Sequence, residues 1–363
     1  MPEKVAIVGV GQTVHAAVRS DVDVSELLLE AIVEALDDAG LGLGDVDNAV
    51  TACMDFLDGR TIANMSIAEV VGSYLKSEAR LCADGTSALL YEWARIATGG
   101  FRIGLVTAHC KESGGNLHDI EVAATDPFTQ RRLGIDGDAV AGLSARLVYA
   151  SGEVSPREAA EVVVESRRRG RAHPKSADLP EVSIDEVLSA ELLADPLRVY
   201  DKAPPMDGAC VLVVVSEDVA RTLNVEPVWV TGVAAVTGRY WSDGDPTSLA
   251  ALAAARERAA HQAGWGSDTV DLVELSAQYS YQQVQYAQAF GFDPLDPALN
   301  PSGGWLAGNP SIVTGTARVA EAVHQLRGSA GDRQLVGFER AFAHGVTGLG
   351  AQSHGVIALE RTR

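Results

Sequence analysis

Arg80-Leu81-Cys82-Ala83-Asp84-Gly85-Thr86-Ser87-Ala88-Leu89-Leu90 is the stretch on which the fold turns. Behind it runs a helix-like segment to Gly99-Gly100, then the apolar stretch Ile103-Gly104-Leu105-Val106-Thr107-Ala108. The spacing predicts a helix over 83–98 and a strand over 103–108. A thiol where a strand turns into a helix start meets unpaired amides and the positive end of the helix dipole, both of which favour thiolate. That is how a fold makes a cysteine nucleophilic at neutral pH. Taken alone, Cys82 reads equally as a small buried hydrophobe.

The chain has 363 residues, 47% hydrophobic and 21% charged, with 36 glycines. That suits one large or two medium α/β units and excludes disorder. The net charge of -20 speaks against nucleic acid and against anionic membrane surfaces as partners. No apolar run is long enough to span a bilayer. The N-terminus opens on the strand Val5-Ala6-Ile7-Val8-Gly9-Val10 with no signal-peptide pattern, so a cytoplasmic protein is expected. Cys53, Cys82, Cys110 and Cys210 form no C-x-x-C pair. Reduced thiols are expected, with no disulfide framework. His109, Cys110, His118 and Asp119 match no metal-ligand spacing.

Strand and helix patterns alternate outward from Cys82. A helix from Val24 to Gly40 is followed by a strand over 48–53. Residues of about 111–200 read as an inserted, loop-rich region carrying Arg167-Arg168-Arg169-Gly170-Arg171, which suits either the phosphates of a ligand or a solvated helix face. A strand over 209–215 closes the first half. The second half repeats the order: strand 228–233, helix 248–263, strand 270–275, helix 311–327, strand 334–338 and strand 355–360. Two halves of like topology are expected, 1–217 and 225–363.

Several stretches together resemble the thiolase superfamily over nearly the whole chain, in its sterol-carrier-protein-type thiolase and lipid-transfer-protein-type aldolase branch. They are the opening strand Val5 to Thr13, Asp38-Ala39-Gly40-Leu41 with Asp45-Val46-Asp47, and Cys82-Ala83-Asp84-Gly85 in place of C-x-S-G. Asp201-Lys202-Ala203-Pro204-Pro205-Met206-Asp207-Gly208-Ala209 and the block from Asn300-Pro301-Ser302-Gly303-Gly304 through Gly308-Asn309-Pro310 to Arg318 complete the match. The resemblance implies a five-layered α-β-α-β-α fold from two similar halves. It also implies a homodimer, paired by a strand near Ala79 to Val106, and an acyl-coenzyme A thioester as substrate with no covalently bound cofactor. A small zinc-ribbon and oligonucleotide-fold protein is a further partner that it brings into view.

The chain departs from that pattern at the positions that carry the family's chemistry. The G-H-P histidine falls on Asn309, which also reads as the N-cap of a helix begun by Pro310. The Asn or His of the next motif falls on Ser276, three residues before Tyr279. The late acid/base cysteine falls on His344, in what reads as a Gly-rich loop, His344-Gly345-Val346-Thr347-Gly348-Leu349-Gly350. His344 is the expected base for Cys82. Asn309 and the amides of Gly345, Gly348 and Gly350 are the expected thioester-oxygen donors. Tyr279 and Tyr281 stand where a helix begins and offer phenols or pocket wall. His354, in Ser353-His354-Gly355, reads as structural or as a substrate contact. Trp229, Tyr240, Trp241 and Trp305 suit a bulky pocket or a core equally.

Three functions fit. One is carbon–carbon bond cleavage or formation by acyl transfer through a Cys82 thioester. Another is retro-aldol cleavage of a β-hydroxyacyl-CoA without covalent cysteine chemistry. The last is a catalytically weak partner subunit.

Overall fold

The computed structural model describes residues 3–60, 64–266 and 270–361. Among them, nine strands form one mixed sheet. Five come from the first part of the chain: β1 (Val5–Gln12), β2 (Asn48–Ala52), β3 (Ser77–Leu81), β4 (Ile103–Lys111) and β5 (Asp207–Ser216). Four follow: β6 (Val228–Thr237), β7 (Leu272–Glu274), β8 (Arg340–Thr347) and β9 (Ser353–Glu360). The order is β3-β2-β4-β5-β1-β6-β9-β8-β7. It mirrors about the short β1–β6 seam, where Val5 to Ile7 pair with Val228 to Val230. β1–β5–β4 and β6–β9–β8 are antiparallel runs, and each ends in a parallel neighbour, β2 or β7.

Helices sort into three layers around this sheet. α1 (Val24–Ala39) is capped by Asp23, whose side chain accepts from the Glu26 amide, and stopped by Gly40 in the left-handed region. Its Leu27, Leu28, Ala31 and Ile32 bury against β1 and β5 on the outer face. α2 (Gly85–Ala97) and α8 (Thr314–Arg327) lie in the middle. There Leu89, Ile96, Val319 and Val323 pack against Leu212 of one half and Ile357 of the other. α6 (Ala250–Ala263) and α7 (Ser280–Phe290) cover the second half through Leu252, Ala259, Tyr286 and Phe290. The result is α-β-α-β-α. Each fully buried Leu or Ile contributes about 1.5–3 kcal/mol.

The insertion is more ordered than its polarity suggested. It holds α3 (Leu117–Ala124), α4 (Gly137–Ser151) and α5 (Pro156–Ala172). Asp136 caps α4, and Ser155 with Glu158 forms a capping box before Pro156, so local chemistry sets these helices. The strand expected at 334–338 is absent. The Gln334 side chain and the Leu335 amide bond back to Gln325 at the end of α8, and the strand starts at Arg340 instead. His344 therefore lies inside β8, not in a loop. α8 begins at Thr314, so Asn309 is not its cap. β4 is interior, flanked by β2 and β5; the sheet's edges are β3 and β7, and Leu299 bridges to Val273 of β7 while β3 stays open. Among the described residues no helix is long and apolar enough to cross a membrane.

α1 rests on β1, and α6 on β6, at glycines. A Cβ on Gly11 would land on the Ala31 carbonyl oxygen, and one on Gly232 on the Ala259 carbonyl oxygen. Gly11→Ala should cost about 2–3 kcal/mol in urea unfolding. Gly44→Ala, where a Cβ meets nothing within 4 Å, should stay within about 0.5 kcal/mol.

Candidate active site

The Cys82 loop joins the end of β3 to α2, and both halves hold it. Gly85 donates its amide to Ile312 O at 3.0 Å. The Asp84 amide donates to Thr347 Oγ1 at 3.1 Å. Beside it opens a cavity of about 340 Å³. Its wall includes Cys82, Asp84, Glu112, Glu121, Lys202, Tyr279, Trp305, Gly348 and Gly350. Cys82 is exposed, whereas Cys53, Cys110 and Cys210 are buried; the buried-hydrophobe reading of Cys82 fails.

The helix start does not activate Cys82. Partial burial and, next, the Asp55 carboxylate push its thiol up. Cys82 stands two places before Asp84, and the N-cap place belongs to Asp84. Asp84 is 3% exposed. Its Oδ1 accepts from Thr86 Oγ1 at 2.6 Å, and its Oδ2 has no partner. Burial raises this carboxyl to about 7, against the opposing pull of the Thr86 hydroxyl and the Ser87 and Thr86 amides. A Cβ on Gly315 or Gly345 would collide with Oδ2. The place of Gly345 is thus packing against Asp84, and it lies outside the cavity wall.

His344 is not a partner for Cys82. Side chains alternate along a strand, so Gly345 faces Asp84 and α2 while His344 faces α7. Its ring lies 5.4 Å from that of Tyr286 and stacks on His354 at 5.2 Å. His344 Nε2 and His354 Nδ1 share a 3.0 Å hydrogen bond. Burial, then His354, hold His344 well below its usual range; burial holds His354 at about 4. Both rings are neutral at neutral pH.

Asn309 and Ser276 are also committed elsewhere. Asn309 Nδ2 donates to Gly304 O at 2.9 Å, and Arg318 Nη2 donates to Asn309 Oδ1 at 3.1 Å. Ser276 Oγ lies 3.1 Å from Thr314 Oγ1 in the interior. Neither is in the cavity wall. Tyr281 is buried edge-on to Tyr149 and is outside it too. The arginine run is structural. Arg167 donates to Pro180 O, Arg169 to Leu295 O and Glu165, and Arg168 to Glu165, while Arg171 pairs with Glu181.

Tyr279 does face the cavity, with partners that the spacing gave no hint of. Its hydroxyl donates to Asp138 Oδ1 at 2.6 Å. Lys202 Nζ sits 2.6 Å from the same oxygen. Backbone bonding fixes the pair of loops, with the Ala203 amide donating to Gln278 O at 2.8 Å. Burial first, then Asp138, push the Tyr279 phenol well above its usual range, so it is a protonated donor. Lys202 stood within a quoted motif. Asp138 comes from α4, and no local signal ties it to residues 202 and 279.

Because Asp84 ionises only near pH 7 in the fold but near 4 when unfolded, its unfolded form loses the proton first as pH rises. Its presence should therefore lower stability between about pH 4 and 7, with the full cost reached above 7. Asp84→Asn should remove that slope. Urea titrations should show the variant gaining on the parent by on the order of 4 kcal/mol at pH 8 and little at pH 4.

Residues 296–361 match the family described as "Thiolase C-terminal domain-like". The acetyl-CoA acetyltransferase of Methanothermobacter thermautotrophicus is 29% identical, over 95% of this chain and 97% of its own. Sterol carrier protein 2 of Gallus gallus is 26% identical, over 96% of this chain and 70% of its own. The solved Ltp2-ChsH2(DUF35) aldolase shares the fold with a TM-score of 0.83 at 20% identity, over 100% of this chain and 99% of that one. With its C-terminal family match, its relatives over most of its length and its five-layered fold, the chain is similar to proteins of the thiolase superfamily.

Proposed function

We propose that this protein acts on a coenzyme A thioester and breaks or forms the carbon–carbon bond beside the thioester carbonyl by acid–base chemistry, in the manner of a retro-aldolase. One observation carries the reading: the cavity wall holds a phenol backed by a carboxylate and an ammonium, while its thiol has no hydrogen-bonded base among the described residues. Tyr279 donates to Asp138, so the oxygen of its phenol is free to accept from a substrate β-hydroxyl. As that proton moves to Tyr279, the tyrosine's own proton moves to Asp138, with Lys202 holding the pair. The Cα–Cβ bond breaks, the β-carbon leaves as a carbonyl, and its electrons form the thioester enolate. Amides of the Gly348–Gly350 turn are the assigned donors to the enolate oxygen. The same relay then runs backwards and places the proton on the α-carbon, so the atoms balance.

The exposed Cys82 thiol in the same wall favours a second reading, acyl transfer through a Cys82 thioester. It requires a base to take the thiol proton, and among the described residues none is hydrogen-bonded to Cys82. Intact-mass measurement after incubation with an acyl-CoA separates the two. The first reading expects no acyl adduct, near-parental turnover of a β-hydroxyacyl-CoA in Cys82→Ser, and a loss of about 10²–10⁴ in kcat for Tyr279→Phe. An acyl adduct on Cys82, with turnover lost in Cys82→Ser, would sink it in favour of the second. A chain inert toward all CoA thioesters by itself, and active only with an added partner, would assign it the subunit role that the two-component name of the aldolase neighbour suggests.

Assembly follows from the free edge, and the working compartment we take to be the cytoplasm. β3 exposes an unpaired rim, and Met65, Tyr74 and Leu75 nearby in the chain are 84%, 83% and 89% exposed. Exposed edges of this kind are covered in native proteins. A homodimer along β3 should bury more than about 2,000 Å². Light scattering at micromolar concentration should give twice the chain mass, and a monomer there would contradict it.

A further inference from the structure

A second hollow, of about 600 Å³, lies beside the reaction cavity and shares Gly350 and Ala351 with its wall. The segment after β6 forms one side. It is anchored by the Tyr240 hydroxyl, which donates to Gln130 Oε1 at 2.7 Å. Donors dominate this hollow. Arg239 is exposed and, among the described residues, makes no hydrogen bond or ion pair. The Trp241 Nε1–H is shielded from solvent and has no acceptor. α6 begins in the wall with Ala250 and Ala251; the Ala250 amide donates to Ser248 Oγ at 3.4 Å, and the Ala251 amide has no acceptor among the described residues. His354 lies at the inner side, only 4% exposed. One of its ring nitrogens is taken by His344; the other has no partner among the described residues. The one acid in the wall, Asp245, accepts from the Thr247 amide and hydroxyl of its own turn.

A helix start with a free amide, an uncommitted guanidinium and a buried imidazole with one free nitrogen face one space. In a chain of net charge -20, such a gathering of donors stands against the general field. We propose that this hollow is a phosphate subsite, in which the α6 amides and Arg239 hold the phosphate oxygens and His354 bonds the innermost one. Tyr240 and Trp241, with ring centroids 6.0 Å apart, give the phosphate's bearer an aromatic wall. The subsite does not depend on the reaction assigned to Tyr279.

Two sources share this chemistry: the nucleotide end of coenzyme A, and a free phosphate ester. Calorimetric titration of the full chain with inorganic phosphate, adenosine 3′,5′-bisphosphate and coenzyme A tests both. Saturable bisphosphate binding is expected, weakened tenfold or more by Arg239→Gln. Ala251→Glu, which keeps a good helix start but puts a carboxylate where the phosphate belongs, should weaken it further. Tyr279→Phe should leave it unchanged, which separates this subsite from the reaction cavity. Coenzyme A binding at least tenfold tighter than the bisphosphate, with both weakened by Arg239→Gln, assigns the phosphate to coenzyme A. Equal affinity assigns a free phosphate ester. No saturable binding of any probe, or affinities indifferent to both substitutions, overturns the proposal.

Discussion

The absence of side chains at Gly315 and Gly345 is the constraint on which this architecture rests. There the start of α8 and the middle of β8 close on Asp84, with no room for a Cβ between them. That contact brings the two halves of the sheet within reach of one loop. Asp84 donates its amide to the Thr347 hydroxyl of the second half, and Gly85 donates its own to Ile312 O. The Cys82 loop is thus positioned by residues more than two hundred places away. A buried carboxyl with an oxygen left unpaired is an expensive way to fill such a space. It is tolerated because the group can stay neutral near pH 7.

Much of the fold was legible. The helices 24–40, 83–98 and 248–263 lie within two residues of their observed bounds, because their apolar spacing and Gly stops are local signals. The strands 103–108, 209–215 and 228–233 were placed but fell short at one or both ends. What failed was context. His344-Gly345 reads as a loop by composition, yet neighbours on both sides make it strand. Gln334 to Phe338 looks like a strand until Gln325 ties it to the end of a helix. The polar insertion holds four helices, over 117–124, 137–151, 156–172 and 184–189, whose caps stand in the sequence at Asn116, Asp136, Ser155 and Ser183.

The site was legible in outline and misread in detail. Cys82, Tyr279, Gly348 and Gly350 do meet around one cavity. The rest depends on which side of a strand a residue faces, and that the motif spacing did not resolve. A one-residue alternation sends His344 to α7 and leaves its neighbour against Asp84. Asp138 is invisible from sequence because its role exists only where α4 meets the loops at 202 and 279. Asn309 looked free to bind substrate because the reach of Arg318 cannot be read from spacing.

The seam between the halves has a consequence for how this chain is made. β1 occupies residues 5–12, yet its two neighbours in the sheet are β5, ending at 216, and β6, beginning at 228. During synthesis β1 leaves the ribosome well before either of its partners and is among the last strands to be paired. At about 5–20 residues per second it waits at least ten seconds or so with an apolar edge uncovered. Pairings so distant along the chain also slow closure after release. The nascent N-terminal segment is therefore a natural client for a chaperone, and the stage most exposed to misassembly precedes any chemistry in the cavity.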